Sequence, residues 1–450
     1  VRTVDVLIIG GSASGIVAAV TGKGSYPDKD FLVIRKENKV LVPCGIPYIF
    51  GVLGSTDKNI MPDAVLENEG IELKIGEVTS LDPNSKTCKT ADGEQISFEK
   101  VVFATGSVPA VPGWLKGAGL DNVFTIPKNK EYLDRVQTRI RHANRIVVIG
   151  GGFIGVEIAD ELNSVGKDVT IVELLPRVLS LVFDDEIAER AEETLRSRGV
   201  KTAVGSGVKE LSGEDKVSGV VLQNDATLEA DVVILAMGYR PNTELARESG
   251  LATDGKTGIK VDEYMRTSHC DVFAVGDCAE KADFITSKPS AVMLASTACA
   301  EARMAGMNLY GVRMVKTFKG TVPIFSTAIG NAGYGAAGLT EDRARSEGVQ
   351  VITATVEQPY KHPASLPNTN VQLVKLVAAR DTGVVLGGEV VGGVSTGELT
   401  NLIGVIVQNK MSVSEVLTTQ IGTHPLLTAS PTAYPVIKAA EALVRSSRRE

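Results

Sequence analysis

The stretch Ile146-Val147-Val148-Ile149-Gly150-Gly151-Gly152-Phe153-Ile154-Gly155-Val156-Glu157 decides the fold of this chain. Four branched aliphatic residues in a row read as a strand buried on both faces, the mark of a parallel sheet. The strand runs into Gly150, Gly152 and Gly155, a G-x-G-x-x-G turn that carries Phe153 and Ile154. The first glycine permits a tight turn, the second lets a pyrophosphate approach the backbone, and the third lets helix and strand pack closely. The phosphates then rest on the helix N-terminus. The helix continues through Glu157 to about Val165, and the next strand is Val169-Thr170-Ile171-Val172-Glu173. Glu173 lies 18 residues past Gly155, where an acid can hydrogen-bond a ribose diol. Its charge repels a 2′-phosphate, so NADH is favoured over NADPH. A further strand, Val232-Val233-Ile234-Leu235-Ala236, ends at Met237-Gly238.

The same plan stands at the start of the chain. The apolar run 4–9 enters Gly10-Gly11-Ser12-Ala13-Ser14-Gly15, with Ser12 in place of the middle glycine. A second strand, Phe31-Leu32-Val33-Ile34, is followed by Arg35 and Lys36 where the acid would stand. A third run, Val101-Val102-Phe103-Ala104, leads into Thr105-Gly106-Ser107. Read alone, this turn fits a structural βα connection as well as a nucleotide site. The short strand Val272-Phe273-Ala274-Val275, ending in Gly276-Asp277, tips the reading, because an aspartate there can bind the ribityl chain of a flavin. The last third changes character. It has β-branched strands near 351–357, 371–378 and 384–391, then helices near 397–409, 412–418 and 432–446, which reads as an α+β domain.

Cys44 stands in Leu41-Val42-Pro43-Cys44-Gly45-Ile46-Pro47-Tyr48 with no second cysteine nearby. Two adjacent cysteines would store an electron pair as an internal disulfide. A single one must store it with an oxygen, a bound thiol or a persulfide sulfur. The segment after it reads as helical through about Phe50, which would put the sulfur at a helix N-terminus, where the dipole favours thiolate. Cys88, Cys270, Cys278 and Cys299 read as structural. Five scattered cysteines without a C-x-x-C pair exclude a disulfide scaffold and speak against a metal site.

A length of 450 residues suits about three domains, and 43% apolar with 22% charged residues is ordinary for a globular protein. The net charge of −7 speaks against nucleic acid or an anionic membrane as main partner. No uncharged apolar run reaches spanning length, so membrane insertion is not expected. The run 4–9 leads directly into its turn and reads as a first strand, not a signal peptide. A reducing cytoplasm is the expected location.

Taken in order, Gly10 to Gly15, Cys44 to Tyr48, Ala104 to Ser107, Gly150 to Glu157, Glu173, Ala236-Met237-Gly238 and Ala274 to Asp277 resemble the flavin-dependent pyridine nucleotide-disulfide oxidoreductases over essentially the whole chain. Cys44-Gly45-Ile46-Pro47-Tyr48 is similar to the single-cysteine branch of coenzyme A disulfide reductases, NADH oxidases, NADH peroxidases and persulfide reductases. The resemblance implies an α/β fold with two Rossmann-like nucleotide-binding domains and a C-terminal α+β dimerisation domain. The expected division is an FAD-binding domain at 1–112 and 243–320, an NAD(H)-binding domain at 113–242 and an interface domain at 321–450. It implies a homodimer with FAD on Gly10, Ser12, Ala13, Ser14, Gly15, Arg35, Lys36, Ala104, Thr105, Gly106 and Asp277. NADH is implied on Gly150, Gly152, Phe153, Ile154, Gly155, Glu157, Glu173 and Gly238. In the family a glutamate placed like Glu157 contacts the nicotinamide carboxamide, and Phe153 stands where relatives place a tyrosine over the flavin.

His424 and Tyr434 are the acid/base candidates that the resemblance implies beside Cys44. Two-cysteine relatives reach across the dimer with a histidine oriented by a glutamate five residues on, and here that position is Ala429. Coenzyme A disulfide reductases use a C-terminal tyrosine. Peroxidases and water-forming oxidases of the branch place a histidine in the first glycine turn, where this chain has Ala13. Coenzyme A disulfide reductases carry an arginine cluster on the first helix, where this chain offers Lys23. A small sulfur substrate survives both departures, with coenzyme A disulfide and oxygen as alternative acceptors. A flavin electron-transfer reductase or redox sensor, with Cys44 a bystander, is the remaining alternative.

Overall fold

The N-terminal apolar run pairs on both sides with other apolar runs, and that pairing builds the first sheet. The structure is a computed structural model that describes residues 2–316 and 319–447. The strand Arg2–Ile9 lies parallel between Phe31–Arg35 and Gln95–Phe103, with Ile9 level with Ile34 and Phe103. The short strand Val272–Ala274 adds in parallel to Gln95–Phe103, so Ala274 also stands level with Phe103. An antiparallel extension, Val78–Asp82 and Thr87–Thr90, continues the same sheet. The helices Ala13–Ser25 and Ala295–Met307 pack on each other through small residues such as Ala18, Ala19, Ala302 and Ala305. These elements belong to one compact unit, Val1–Asn144 with Met237–Asp283 and Ser287–Thr321.

The second unit is Arg145–Ala236 with Phe284–Thr286 and Val322–Glu450. Its first part repeats the parallel plan, with Lys201–Ala203, Asp168–Val172, Arg145–Ile149 and Val232–Leu235 in that order. Its second part is an antiparallel sheet in the order Ile324–Ile329, Ala332–Gly338, Val385–Gly392, Val371–Ala379, Val351–Pro359. The helices Thr396–Gln408, Val413–Thr418 and Pro435–Ser447 bring Ile403, Val407, Val436, Ala440 and Leu443 into its core. The α/β class with a separate C-terminal α+β part agrees with the sequence reading.

The first two strands of that antiparallel sheet were not legible in sequence. Ala332–Gly338 consists of Gly, Ala and one Tyr and lacks alternation. It forms a strand because helix Thr396–Gln408 lies directly on it, so close that a Cβ on Gly335 would stand 2.1 Å from Thr400 Oγ1. No helix among the described residues is long and apolar enough to cross a membrane.

Candidate active site

Both glycine turns lie at the carboxyl ends of parallel strands, where open α/β sheets bind ligands. In the second unit Gly150 has φ +110°, and a Cβ on Gly155 would stand 1.9 Å from Gly150 O. The helix Phe153–Ser164 begins there with no side-chain cap, which leaves its first N–H groups for a ligand. Glu173 is tied to the turn, since its Oε2 accepts from Gly151 N–H at 2.6 Å and its Oε1 from Leu175 N–H at 2.8 Å. Phe153 packs edge-on against Phe325 and Phe183, with ring centres 5.0 and 6.3 Å away. Ile154 is half-buried beside it. Burial pushes the Glu157 carboxyl up to about 7, although Thr327 Oγ1 donates to its Oε1 at 2.7 Å and pulls the other way.

In the first unit Gly10 has φ +111°, and a Cβ there would stand 2.1 Å from Ala104 O. A Cβ on Gly15 would stand 1.9 Å from Gly10 O. The helix Ala13–Ser25 likewise starts at Ser12 without a side-chain cap. Gly276, with φ +75°, lies against Ser14, where a Cβ would come within 2.7 Å of Ser14 Oγ. The next residue, Asp277, accepts through Oδ2 from Ser107 Oγ at 2.7 Å and Lys128 Nζ at 2.8 Å. Burial pushes its carboxyl up, but Lys128 and Ser107 outweigh burial and hold it below the ordinary range. Thr105 Oγ1 donates to Asn242 O at 2.6 Å, and Asn242 N–H donates to Gly106 O at 2.9 Å, which fixes that loop. Gly238, with φ +92°, accepts from Ala110 N–H through its carbonyl.

Arg35 and Lys36 are placed differently from the sequence reading. Arg35 is buried, with its guanidinium on both Asp63 oxygens at 2.6 and 2.8 Å and on the carbonyls of Glu37 and Asn38. Its stem fills the space beside Gly11, where a Cβ would meet Arg35 Cδ at 2.8 Å. Arg35 therefore builds the wall of the turn, with its donors on protein acceptors. Lys36 is exposed and pairs with Glu77.

The cysteine segment also differs from expectation. It forms two 3₁₀ turns, Pro43–Gly45 and Pro47–Phe50, with Cys44 inside the first. Pro47 has no N–H to give to Pro43 O, so one α-helix cannot run across both. The argument from a helix dipole at Cys44 accordingly falls away. The segment around Cys44 is braced by two buried polar side chains. Buried Asn59 donates from Nδ2 to Val42 O at 3.0 Å, and its own carbonyl accepts from Val42 N–H at 2.8 Å. A Cβ on Gly45 would stand 2.0 Å from Asn59 Oδ1, so only glycine fits after the cysteine. Buried Gln137 donates to Ile49 O at 2.7 Å and anchors the second turn. The Cys44 side is exposed. By contrast Cys88 and Cys278 are buried, and burial pushes the Cys88 thiol up to about 11.

Residues 4–302 match the family model described as pyridine nucleotide-disulphide oxidoreductase, and residues 324–434 match its dimerisation domain. An NADH oxidase of Methanocaldococcus jannaschii is 31% identical over 425 residues, covering 91% of this chain and 92% of the relative. An NAD(P)H coenzyme A polysulfide/persulfide reductase of Pyrococcus horikoshii is 34% identical, covering 86% of this chain and 87% of the relative. The solved structure of an NAD-dependent persulfide reductase from A. fulgidus superposes with a TM-score of 0.91 at 28% identity, over 99% of this chain and 83% of that one.

The chain belongs to the pyridine nucleotide-disulphide oxidoreductases.

Membership makes it an FAD-dependent NAD(P)H oxidoreductase with the family's dimerisation domain. The residues present fit both cofactors. Gly152 has nothing within 4 Å of where its Cβ would be, so the space beside it stays open for a pyrophosphate. Both helices that follow the glycine turns start without a side-chain cap, as Asp185–Arg198, Ala295–Met307 and Thr396–Gln408 also do. Of the two acid/base candidates of this oxidoreductase, His424 is exposed in a loop with exposed Leu426 and Leu427, and its Nδ1 accepts from Leu426 N–H at 3.3 Å. Tyr434 is half-buried against the C-terminal core, and burial raises its phenol. Ala429, in the place of the orienting glutamate, is buried. Cys44 belongs to the first unit, and His424 and Tyr434 to the second.

Sequence reasoning missed Lys128, Asn59, Gln137 and Thr327. None lies in a motif or beside one, and each acts on a residue far away in sequence. A buried asparagine or glutamine in a chain otherwise built of apolar runs carries no local signal.

Proposed function

We propose that this chain is a homodimeric FAD enzyme that uses NADH to reduce a small disulfide, polysulfide or persulfide through Cys44. The observation that carries this reading is the exposed Cys44, in a segment held by buried Asn59 and Gln137 within the unit that carries the Gly10 turn and Asp277; Cys270 is exposed as well, but among the described residues no such buried side chains brace it. The domain division at 1–112 with 243–320, 113–242 and 321–450 goes with it, as does a cytoplasmic location.

FAD, held there, would supply the two-electron chemistry that links NADH to sulfur. Gly10, Ser12, Ala13, Ser14 and Gly15 receive its pyrophosphate, Ala104, Thr105 and Gly106 line its path, and Asp277 holds its ribityl hydroxyls. Lys128 keeps Asp277 ionised and able to accept them. Gly150, Gly152, Phe153, Ile154 and Gly155 receive NADH, and Gly238, with no protein atom within 4 Å of where its Cβ would stand, is a further candidate contact. Glu173 accepts from the adenine ribose and repels a 2′-phosphate. Arg177 does not offset that charge, because it pairs with Asp185 and Glu189. Cys44, as thiolate, attacks one sulfur of the substrate, forms a new S–S bond and expels the other sulfur as a thiolate. His424 or Tyr434, contributed across the dimer, protonates that leaving sulfur. The electron pair then breaks the new S–S bond, which frees the second product and restores the Cys44 thiolate.

Lys23 supports a small substrate over coenzyme A disulfide. Two of the three donors of its ammonium are taken by Pro27 O at 2.9 Å and Lys29 O at 2.8 Å, so that helix offers one partly engaged cation in place of an arginine cluster. The relatives named NADH oxidase favour a second reading, with oxygen as acceptor and a Cys44 sulfenate as intermediate, but Ala13 supplies no base in the first turn.

Steady-state turnover of Cys44→Ser on polysulfide and on oxygen tests the reading. We expect loss of polysulfide turnover by at least about a thousandfold, as for removal of a covalent nucleophile, with NADH still bleaching the flavin at the parent rate. Unchanged turnover would make Cys44 a bystander. Faster parental turnover on oxygen than on any sulfur acceptor would favour the oxidase.

A further inference from the structure

Glu157 is bound by a residue of the C-terminal domain. Thr327 lies in strand Ile324–Ile329, is 6% exposed, and donates its hydroxyl proton to Glu157 Oε1 at 2.7 Å. Three residues on, Gly330 N–H donates to Asp160 Oδ2 at 2.8 Å on the same helix. The hairpin therefore grips helix Phe153–Ser164 at two successive carboxylates. Thr327 has one proton to donate, which leaves Glu157 Oε2 for a ligand.

We propose that Thr327 is a positioning residue for NADH, fixing the Glu157 carboxyl so that the C-terminal domain sets how it meets the nicotinamide carboxamide. This rests on the reading of Glu157 as the carboxamide partner. The other groups around Glu157 do not do this work. Glu161, one turn on, repels its charge, and Asp160 is paired with Arg198 of helix Asp185–Arg198. Burial brings the carboxyl to about 7, with Glu161 adding to the rise and Thr327 opposing it. Near neutral pH the carboxyl thus changes from a donor to an acceptor. Thr327 favours the ionised form, so removing its hydroxyl must move that change to higher pH.

The test is the pH dependence of NAD+ affinity, titrated on the oxidised FAD-loaded enzyme without turnover, together with that of KM for NADH and of flavin reduction. The parent should show a transition in KM near pH 7, where the carboxyl titrates. Thr327→Val should move it upward by about half a unit or more, the worth of one hydrogen bond to a carboxyl. The same variant should raise KM severalfold with kcat nearly unchanged, and Thr327→Ser should restore both. Thr327→Ala replaces the valine variant if that one fails to hold FAD. A parental profile in the valine or alanine variant, alongside an altered profile in Glu157→Gln, would overturn the role of Thr327 alone. A parental KM in Glu157→Gln would instead overturn the reading of Glu157 on which it rests.

Discussion

The two glycine turns share a backbone and differ in chemistry. Gly10 and Gly150 have φ +111° and +110°, and a Cβ on Gly15 or Gly155 would stand 1.9 Å from the carbonyl of its partner glycine. The outer glycines are thus fixed by the backbone's own crossing, whatever ligand follows. The middle position and the residue ending the second strand carry the difference. The second turn has Gly152 over open space and Glu173 bonded to Gly151 N–H. The first has Ser12, and its Arg35 turns inward onto Asp63 and packs against Gly11. One plan has been fitted once with an acid tied to the turn through Gly151 and Leu175, and once with a buried cation that braces the loop.

If that comparison is right, the outer glycines matter most. Gly15→Ala and Gly155→Ala each push a Cβ into a carbonyl that cannot retreat, at a local cost of about 3 kcal/mol or more. Gly15→Ala should yield protein without flavin. Gly155→Ala should keep its flavin band but lose most of its bleaching by NADH. Equal loss of flavin in both would break the assignment of one cofactor to each turn.

Arg35→Met comes next. It takes both guanidinium hydrogen bonds from the half-buried Asp63, which keeps only the nearby charge of Lys39, a loss of about 1.5–3 kcal/mol. The Arg35 hydrogen bonds hold Asp63 below the ordinary carboxylate range against burial. A carboxylate lowered in this way stabilises the fold above its unfolded pKa and ceases to do so as pH falls through the folded value. The difference in Tm between parent and variant should therefore be largest at neutral pH and shrink in acid. A difference that grows in acid would contradict the pairing.

The smallest effects should separate the middle positions. Glu173→Ser removes a charged acceptor, worth roughly 1.5–3 kcal/mol, so KM for NADH should rise about tenfold or more while NADPH becomes usable. Gly152→Ala meets no protein atom and should leave Tm unchanged while raising KM for NADH. Ser12→Gly, at the matching place in the first turn, should alter neither. A fall in Tm for Gly152→Ala would mean that protein packing, not a ligand, requires glycine there.

Most of the parallel framework was legible, because each βαβ unit is specified within a short window by apolar runs and glycine spacing. The Gly150 turn, with Glu173 at the end of the next strand, and Asp277 after its short strand were placed on these elements in that way. Residues near Cys44 were misread as one helix because the apolar pattern there suits a helix. Pro47 forbids it by withholding one N–H, and two 3₁₀ turns result. Arg35 was read as facing a cofactor, since its position in the motif matches an acid. Only Asp63, 28 residues on, turns it inward. The glycine-rich strand Ala332–Gly338 escaped because its pairing is imposed by a helix that follows much later in the chain.

The sequence by itself determined where the chain turns, which residues end the strands, and that one cysteine stands alone. Those properties depend on neighbours along the chain and on sterics that glycine alone relieves. Only the tertiary structure decided what charge and hydrogen bonding each functional group meets. Lys128 reaches Asp277 across 149 residues, and Thr327 reaches Glu157 across 170. Hydrogen bonds and desolvation act over a few ångströms in space, whatever the separation in sequence, so no local pattern records them.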